Sequence, residues 1–350
     1  SKSKVVFPTP KGKKTVKTEL NQISCNNYLL ASGWEMAELS ELFKSSQSVF
    51  NLAYNTNAWY NATVPGTVLT TLVEQGVYPD PYFGINNLFI PDSLCRKDWV
   101  YRIKFKIPED QKDKTKWLKF DGINYRAIIW LNGKRIGRID GAFKREEFNI
   151  TDIANLNKEN VLVVHIIPPP NPGYPQEQSP LTGRGTNGGQ LCLDGPTFIA
   201  SEGWDWMPGI RDRNIGIWQP VRLYFTESVK ISNPQIITSL PLLPDTTLAN
   251  ITVSLFVKNT SNISQLATVS GEIEGIVFEN SVQLLAGEEK RIEFSPQDFK
   301  QLQIKNPRLW WPNGYGRQEL YNLELKITVN NTISDIQTIR FGIREFSYEF

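Results

Sequence analysis

Between Gly203 and Trp218 the chain reads GWDWMPGIRDRNIGIW. Two indoles, Trp204 and Trp206, flank the carboxylate of Asp205, a third stands at Trp218, and Arg211-Asp212-Arg213 lies between them. Gly203, Pro208, Gly209 and Gly216 break regular structure, so these side chains belong on a loop, where a rigid scaffold commonly carries functional groups. The chemistry such a set can do is recognition of a sugar ring. A pyranose offers apolar C–H faces to an indole and paired hydroxyls to the two acceptor oxygens of a carboxylate. The same residues also suit a structural role. Large aromatics dominate core burial, Trp218 in the apolar run Ile215 to Val221 is expected in the core, and Arg211 or Arg213 could satisfy an Asp205 set between indoles.

Other chemistries find little support. His165 is the sole histidine and sits in the apolar run Val161 to Ile167, which argues against a Ser-His-Asp triad and reads as one side chain of a strand. Cys25, Cys95 and Cys192 are odd in number and far apart, without metal-ligand spacing, although one pair could bridge. Gly183-Arg184-Gly185-Thr186-Asn187-Gly188-Gly189 lacks the Lys-Ser/Thr ending of a phosphate loop. No metal or cofactor is expected. The net charge of +2 carries no footprint for nucleic acid or an anionic membrane, the basic cluster Lys11 to Lys17 reads as a solvated arm, and no apolar run reaches bilayer length. Asn61, Asn149, Asn250, Asn259 and Asn262 open glycosylation triplets that would matter only in a eukaryotic secretory setting.

The elements that must position the tryptophan stretch are strands. With 350 residues the chain is comfortable as two domains, and 40% hydrophobic with 21% charged residues describes a globular protein with real cores. Residues 1–27 read as an N-terminal arm, with an opening strand at Leu29 to Met36. A short strand and turn follow at Tyr60 to Val68, then one helical segment from Thr67 as cap to Gly76 as stop. Tyr78 to Leu94 is a long irregular loop. Strand patterns continue at Trp99 to Ile107, Lys116 to Asp121, Arg126 to Leu131 before the hairpin signal Asn132-Gly133, Phe148 to Thr151, Val161 to Ile167 and Gln219 to Thr226. Short strands without intervening helices predict a β-sandwich over 28–226. Pro168 to Gly203 lacks strand patterning; a connection that long is functional or disordered, and its running straight into the tryptophan stretch favours function. From 227 to 345, about seven strands predict an immunoglobulin-like sandwich lacking the Cys-Trp-Cys pattern.

Three stretches carry a family resemblance: Gly203-Trp204-Asp205-Trp206 leading to Gly216-Ile217-Trp218; Tyr82-Phe83-Gly84 to Ile90-Pro91 with Trp99-Val100-Tyr101-Arg102; and Asn306 to Gly316 (NPRLWWPNGYG) leading to Phe341-Gly342-Ile343-Arg344. Together they resemble glycoside hydrolase family 2, especially its exo-β-glucosaminidase, endo-β-mannosidase and β-mannosidase branch, over nearly the whole chain from Tyr28. The resemblance implies an all-β fold: a galactose-binding-like jelly-roll sandwich followed by an immunoglobulin-like sandwich. It also implies that 346–350 start a linker to a catalytic (β/α)8 barrel bearing two catalytic glutamates, both beyond this chain. Trp310-Trp311 would then pack against a neighbouring domain rather than touch sugar.

The same resemblance assigns substrate contact to Asp205, with Trp204 and Trp206 as stacking groups, and to Asn86 in the Tyr82 to Pro91 loop. The partners implied are a β-linked oligosaccharide or glycan and the catalytic barrel of the same polypeptide. Asp212 to Trp218 and Met207-Pro208 resemble the glucosaminidase and endo-mannosidase subgroup more than plain β-mannosidases. The expectation is a non-catalytic portion of a retaining β-glycosidase, exported to the periplasm or cell exterior, with any export signal either removed or lying outside this sequence. The alternative is a stand-alone carbohydrate-binding or adhesion protein of two sandwiches.

Overall fold

The computed structural model describes residues 5–173 and 209–347 and divides into two compact units, Ser1–Tyr224 and Phe225–Phe350. The first carries strands β1 (Leu20–Ser24), β2 (Asn27–Leu30), β3 (Glu35–Glu38), β4 (Tyr60–Asn61), β5 (Trp99–Phe105), β6 (Thr115–Phe120), β7 (Arg126–Leu131), β8 (Lys134–Asp140), β9 (Glu146–Asn149), β10 (Asn160–Ile167) and β11 (Val221–Thr226), and one α-helix, α1 (Val68–Glu74). They form a five-stranded sheet in the order β1-β2-β11-β6-β9 and a six-stranded sheet in the order β4-β3-β5-β10-β7-β8. This is the jelly-roll sandwich. The Asn132-Gly133 hairpin joins β7 to β8, both residues having positive φ as a tight primed turn requires. Thr67 caps α1 by accepting from Thr70 N–H (3.2 Å), and Gly76 ends it at φ +73°.

Two expectations need correction. Residues 20–24, inside the expected arm, are β1 and pair with β2, while Lys11 N–H bonds Gln75 C=O (2.8 Å) and the Lys13 ammonium reaches Glu35 (2.6 Å). Backbone hydrogen bonds and a half-buried acid hold what composition alone marks as solvated. The single opening strand expected over Leu29 to Met36 is two, β2 in one sheet and β3 in the other. Gly33 makes the break: its φ is +83°, and a Cβ there would lie 2.2 Å from Thr18 Oγ1.

The centre of the six-stranded sheet is buried on both faces. On one, Tyr101, Ile103 and Phe105 of β5 lie beside Leu162 and Val164 of β10 and Ile129 and Leu131 of β7, following the period of two. On the other, Val100, Val161 and Val163 pack with Val49, Tyr54 and Trp59 from the segment between β3 and β4. That second layer covers Arg102, which is 1% exposed. Its guanidinium donates to Val49 C=O (3.1 Å) and Asn51 C=O (2.8 Å) and pairs with Glu35 at 3.4 Å. Burial lowers its pKa, with Glu35 opposing.

The second unit holds β12 (Val229–Ser239), β13 (Leu248–Asn259), β14 (Gln265–Ile273), β15 (Ile276–Leu284), β16 (Glu289–Phe294), β17 (Gln303–Lys305), β18 (Tyr321–Val329) and β19 (Thr332–Phe341). Its sheets run β12-β13-β16, with β17 also on β13, and β15-β14-β18-β19. Two-residue turns with positive φ, Glu274-Gly275 and Asn330-Asn331, close the β14–β15 and β18–β19 hairpins. Alternate residues of these strands, among them Val253, Leu255, Val269, Leu323, Leu325 and Ile327, fill one core. Buried Ser334 and Asp335 of β19 tie β12 to that sheet, accepting from Val229 N–H (2.8 Å) and Ile231 N–H (2.7 Å). Trp310 N–H bonds Ile343 C=O (2.9 Å) and its ring lies 4.8 Å from the Arg344 guanidinium carbon, while Trp311 remains 44% exposed.

Candidate functional site

Gly203, Trp204, Asp205, Trp206 and the Met207-Pro208 pair lie outside the described residues, as do Cys192 and the Gly183 to Gly189 run; of the motif, 209–218 is described. Its central residue is Asp212, a fully buried carboxylate just outside the start of α1. One oxygen accepts from Leu69 N–H (2.7 Å), in the first turn of the helix, and the other from Asn214 N–H (2.9 Å). An acid there meets orphan amides and the positive end of the helix. Burial nevertheless pushes the Asp212 pKa up, opposed by the Leu69 amide and the Thr67 hydroxyl.

Around Asp212 the chain makes a sharp turn through Arg213 and Asn214, both with positive φ, and leaves through Gly216 at φ +152°. Gly216 exchanges two backbone hydrogen bonds with Asn124 (2.8 and 2.9 Å), and the Asn124 amide donates to Arg213 C=O (2.8 Å). On its other side Val68 N–H bonds Ile215 C=O (2.7 Å) and Gly66 N–H bonds Ile217 C=O (2.9 Å). A Cβ on Gly216 would sit 2.6 Å from Gly66 O, so only glycine fits between the two flanking loops.

The two arginines of the motif face the ends of the 174–208 stretch. Buried Arg213 donates to Pro172 C=O (2.8 Å) and Ile210 C=O (2.7 Å), reaches Gly173 C=O at 3.4 Å, and pairs with Asp92 at 2.9 Å. Arg211 donates to Asn87 C=O (3.0 Å), and the Asn87 side chain answers by donating to Gly209 C=O (3.0 Å). Arg96 donates to Gly173 C=O (2.7 Å). Residues 172–173 and 209–213, which bracket the stretch carrying Asp205, are therefore both fastened to the Asn86–Arg96 segment. Sequence reasoning offered Arg211 and Arg213 as partners for Asp205. The carbonyls they hold leave no spacing signal, since Asn87 lies 124 residues from Arg211 and Pro172 lies 41 from Arg213.

Asn86 is buried and its amide donates to Asp80 C=O (2.9 Å), while its N–H bonds Phe83 C=O (3.2 Å). These bonds shape the loop and leave Tyr82 and Phe83 strongly exposed at its tip. Trp218, expected in the core, is half-buried at the edge, its Nε1–H bonded to Ala142 C=O (2.8 Å) and its ring edge-on to Phe143 (5.3 Å). His165 is indeed a strand residue, stacked on Trp130 and 2.6 Å from Asp98. Cys25 and Cys95 are free thiols, and burial pushes Cys95 up to about 11. Among the described residues no cluster of three potential metal ligands occurs, and no helix is long and apolar enough to cross a membrane.

Comparison with known proteins matches both units in order. The family described as "Glycosyl hydrolase 2 galactose-binding domain-like" covers residues 43–219, and "Glycosyl hydrolases family 2" covers 229–344. The chain is 34% identical over 333 residues to a mannosylglycoprotein endo-β-mannosidase of Lilium longiflorum, covering 91% of this chain and 34% of that protein. It is 31% identical over 318 residues to an exo-β-D-glucosaminidase of Streptomyces avermitilis, covering 90% and 32%. Among solved structures, the β-D-mannosidase of Dictyoglomus thermophilum superposes with a TM-score of 0.62 at 28% identity, covering 91% of this chain and 36% of that one. The chain thus spans about a third of the length of the relatives it matches.

Proposed function

The chain belongs to glycoside hydrolase family 2, and on that premise we propose that it is the sugar-binding and immunoglobulin-like portion of a longer retaining β-glycosidase of exo-β-glucosaminidase or β-mannosidase type. The observation that carries the reading is the match of both units, in order, to one family, in relatives about three times as long. In such an enzyme an acid/base and a nucleophilic carboxylate about 5 Å apart perform the double displacement. On this reading both glutamates belong to a barrel following residue 350. This chain's own part is to complete the sugar subsite. Asp205 would fix paired hydroxyls of the terminal ring, with Trp204 and Trp206 against its apolar face. Support comes from the fastening of both flanks of that stretch to the Asn86–Arg96 segment, since a recognition loop gains affinity when its ends are fixed beforehand. Asn86 acts in the same site by shaping that segment. An exported location belongs to the same reading, polymeric β-glycans being met outside the cell.

The test is turnover of aryl β-glucosaminide and aryl β-mannoside by the full-length polypeptide, with the 350-residue chain as control and Asp205→Asn as variant. Activity of the full-length protein on one substrate, an inert 350-residue chain, and a loss of kcat/KM of tenfold or more in the variant are expected. A charge-assisted hydrogen bond lost at the reacting sugar has about that effect. Unchanged kcat and KM in Asp205→Asn would refute the role of Asp205; turnover by the 350-residue chain would refute the division of labour.

A further inference from the structure

One open cavity of the first unit is independent of these residues. It measures about 490 Å³, within the range of small-ligand sites, and is lined by Asp121, Phe143, Arg145, Trp218, Gln219 and Arg222. Phe143 and Trp218 meet at 81°, ring centroids 5.3 Å apart, and form an aromatic corner. The Trp218 nitrogen is satisfied by Ala142 C=O, which fixes the indole plane. Asp121 accepts from Arg222 Nε–H at 2.8 Å. Among the described residues the exposed Arg145 side chain forms no ion pair or hydrogen bond, so the wall holds two guanidinium groups against one carboxylate.

We infer that this cavity is a saccharide-binding pocket selective for a pyranose that bears a carboxylate. The aromatic corner takes the apolar face of a ring. Asp121 and Gln219 offer acceptors and donors to hydroxyls. Arg145, with its planar fork of donors, suits a carboxylate bidentately. The surplus of positive charge works against an ammonium group, so an amino sugar is disfavoured in this pocket. The inference stands on the cavity's own geometry, and binding here and turnover by the longer polypeptide can fail separately.

Titration calorimetry of the chain with methyl β-D-glucuronide, methyl β-D-glucoside and methyl β-D-glucosaminide tests it, since the three probes differ in one substituent on one ring. The glucuronide should bind tightest and the glucosaminide least. Arg145→Gln and Phe143→Ala change exposed side chains, so a melting temperature close to that of the parent should accompany each. Arg145→Gln should weaken glucuronide about tenfold, the loss of one charge-assisted contact, and bring it level with the glucoside. Phe143→Ala should weaken glucuronide and glucoside alike. Absence of heat with the glucuronide, unchanged affinity in either variant, or tighter binding of the glucosaminide would overturn the assignment.

Discussion

Replacing Asp212 by alanine removes the acceptor of a buried amide, Leu69 N–H at 2.7 Å, and of a half-buried one, Asn214 N–H at 2.9 Å. Each orphaned donor costs about 1–3 kcal/mol, roughly 2–6 kcal/mol together. Relief of the carboxylate's own desolvation, visible in its raised pKa, offsets part of this. We therefore expect a net loss of about 3 kcal/mol, or about 6–12 °C in Tm for a unit of this size. The first unit alone should show it, as an earlier transition in calorimetry or urea unfolding. The effect also depends on pH. Because the folded pKa of Asp212 lies above its unfolded value, the native state holds a proton that the unfolded chain gives up. Its stabilising contribution is complete below the ordinary carboxylate range and is lost as pH rises through the raised value. The gap between the parent and Asp212→Ala should widen on acidification. A Tm shift below about 2 °C, or a gap that narrows as pH falls, would refute the placing of a buried, helix-facing carboxylate at the centre of the motif.

Two more variants probe the supports of the site. Arg102→Met should destabilise the first unit by about 2–4 kcal/mol in urea unfolding, since two backbone carbonyls lose their donor while Glu35 keeps Lys13 and Thr56; Arg102→Lys should recover little, lacking the planar fork. Gly216→Ala should be more damaging than alanine at a solvent-facing glycine such as Gly141, because its Cβ would meet the backbone at 2.6 Å and nothing in that path is a side chain that can turn aside; equal Tm values for the two variants would contradict the packing of that turn.

Local patterns were enough to read most strands. In β5, β7, β10, β14 and β18 the side chains alternate or run apolar between turn residues, and the physics that makes them strands acts within a few neighbours. The same holds for the helix from Thr67 and for the Asn132-Gly133 hairpin, where cap and turn chemistry are written in one or two residues. The motif from Gly203 to Trp218 was also legible as rich in indoles and charge, and its described part, 209–218, is irregular as its glycines require. Assigning it to glycoside hydrolase family 2 rested on resemblance, since a loop's composition alone does not name a reaction.

What the sequence did not contain was which long-range partners its charged residues take. Residues 20–24 look like part of a polar arm until β2 supplies their partners, and Lys11 and Lys13 do so until Gln75 and Glu35 supply theirs. Arg211 and Arg213 look like ion-pair partners for Asp205, which lies outside the described residues; among the described residues Arg213 pairs with Asp92, and the two arginines also hold carbonyls of Asn87, Pro172 and Ile210. Asp212 gives no sign in sequence that it faces a helix 143 residues earlier. Trp218 reads as core, and the structure sets it at the wall of a cavity with Phe143. Hydrophobic periodicity is a local property repeated along the chain, so sequence determined the strands. The pairing of buried charges and amides depends on which distant groups the packed sheets bring within hydrogen-bond range, and only the tertiary structure decided that.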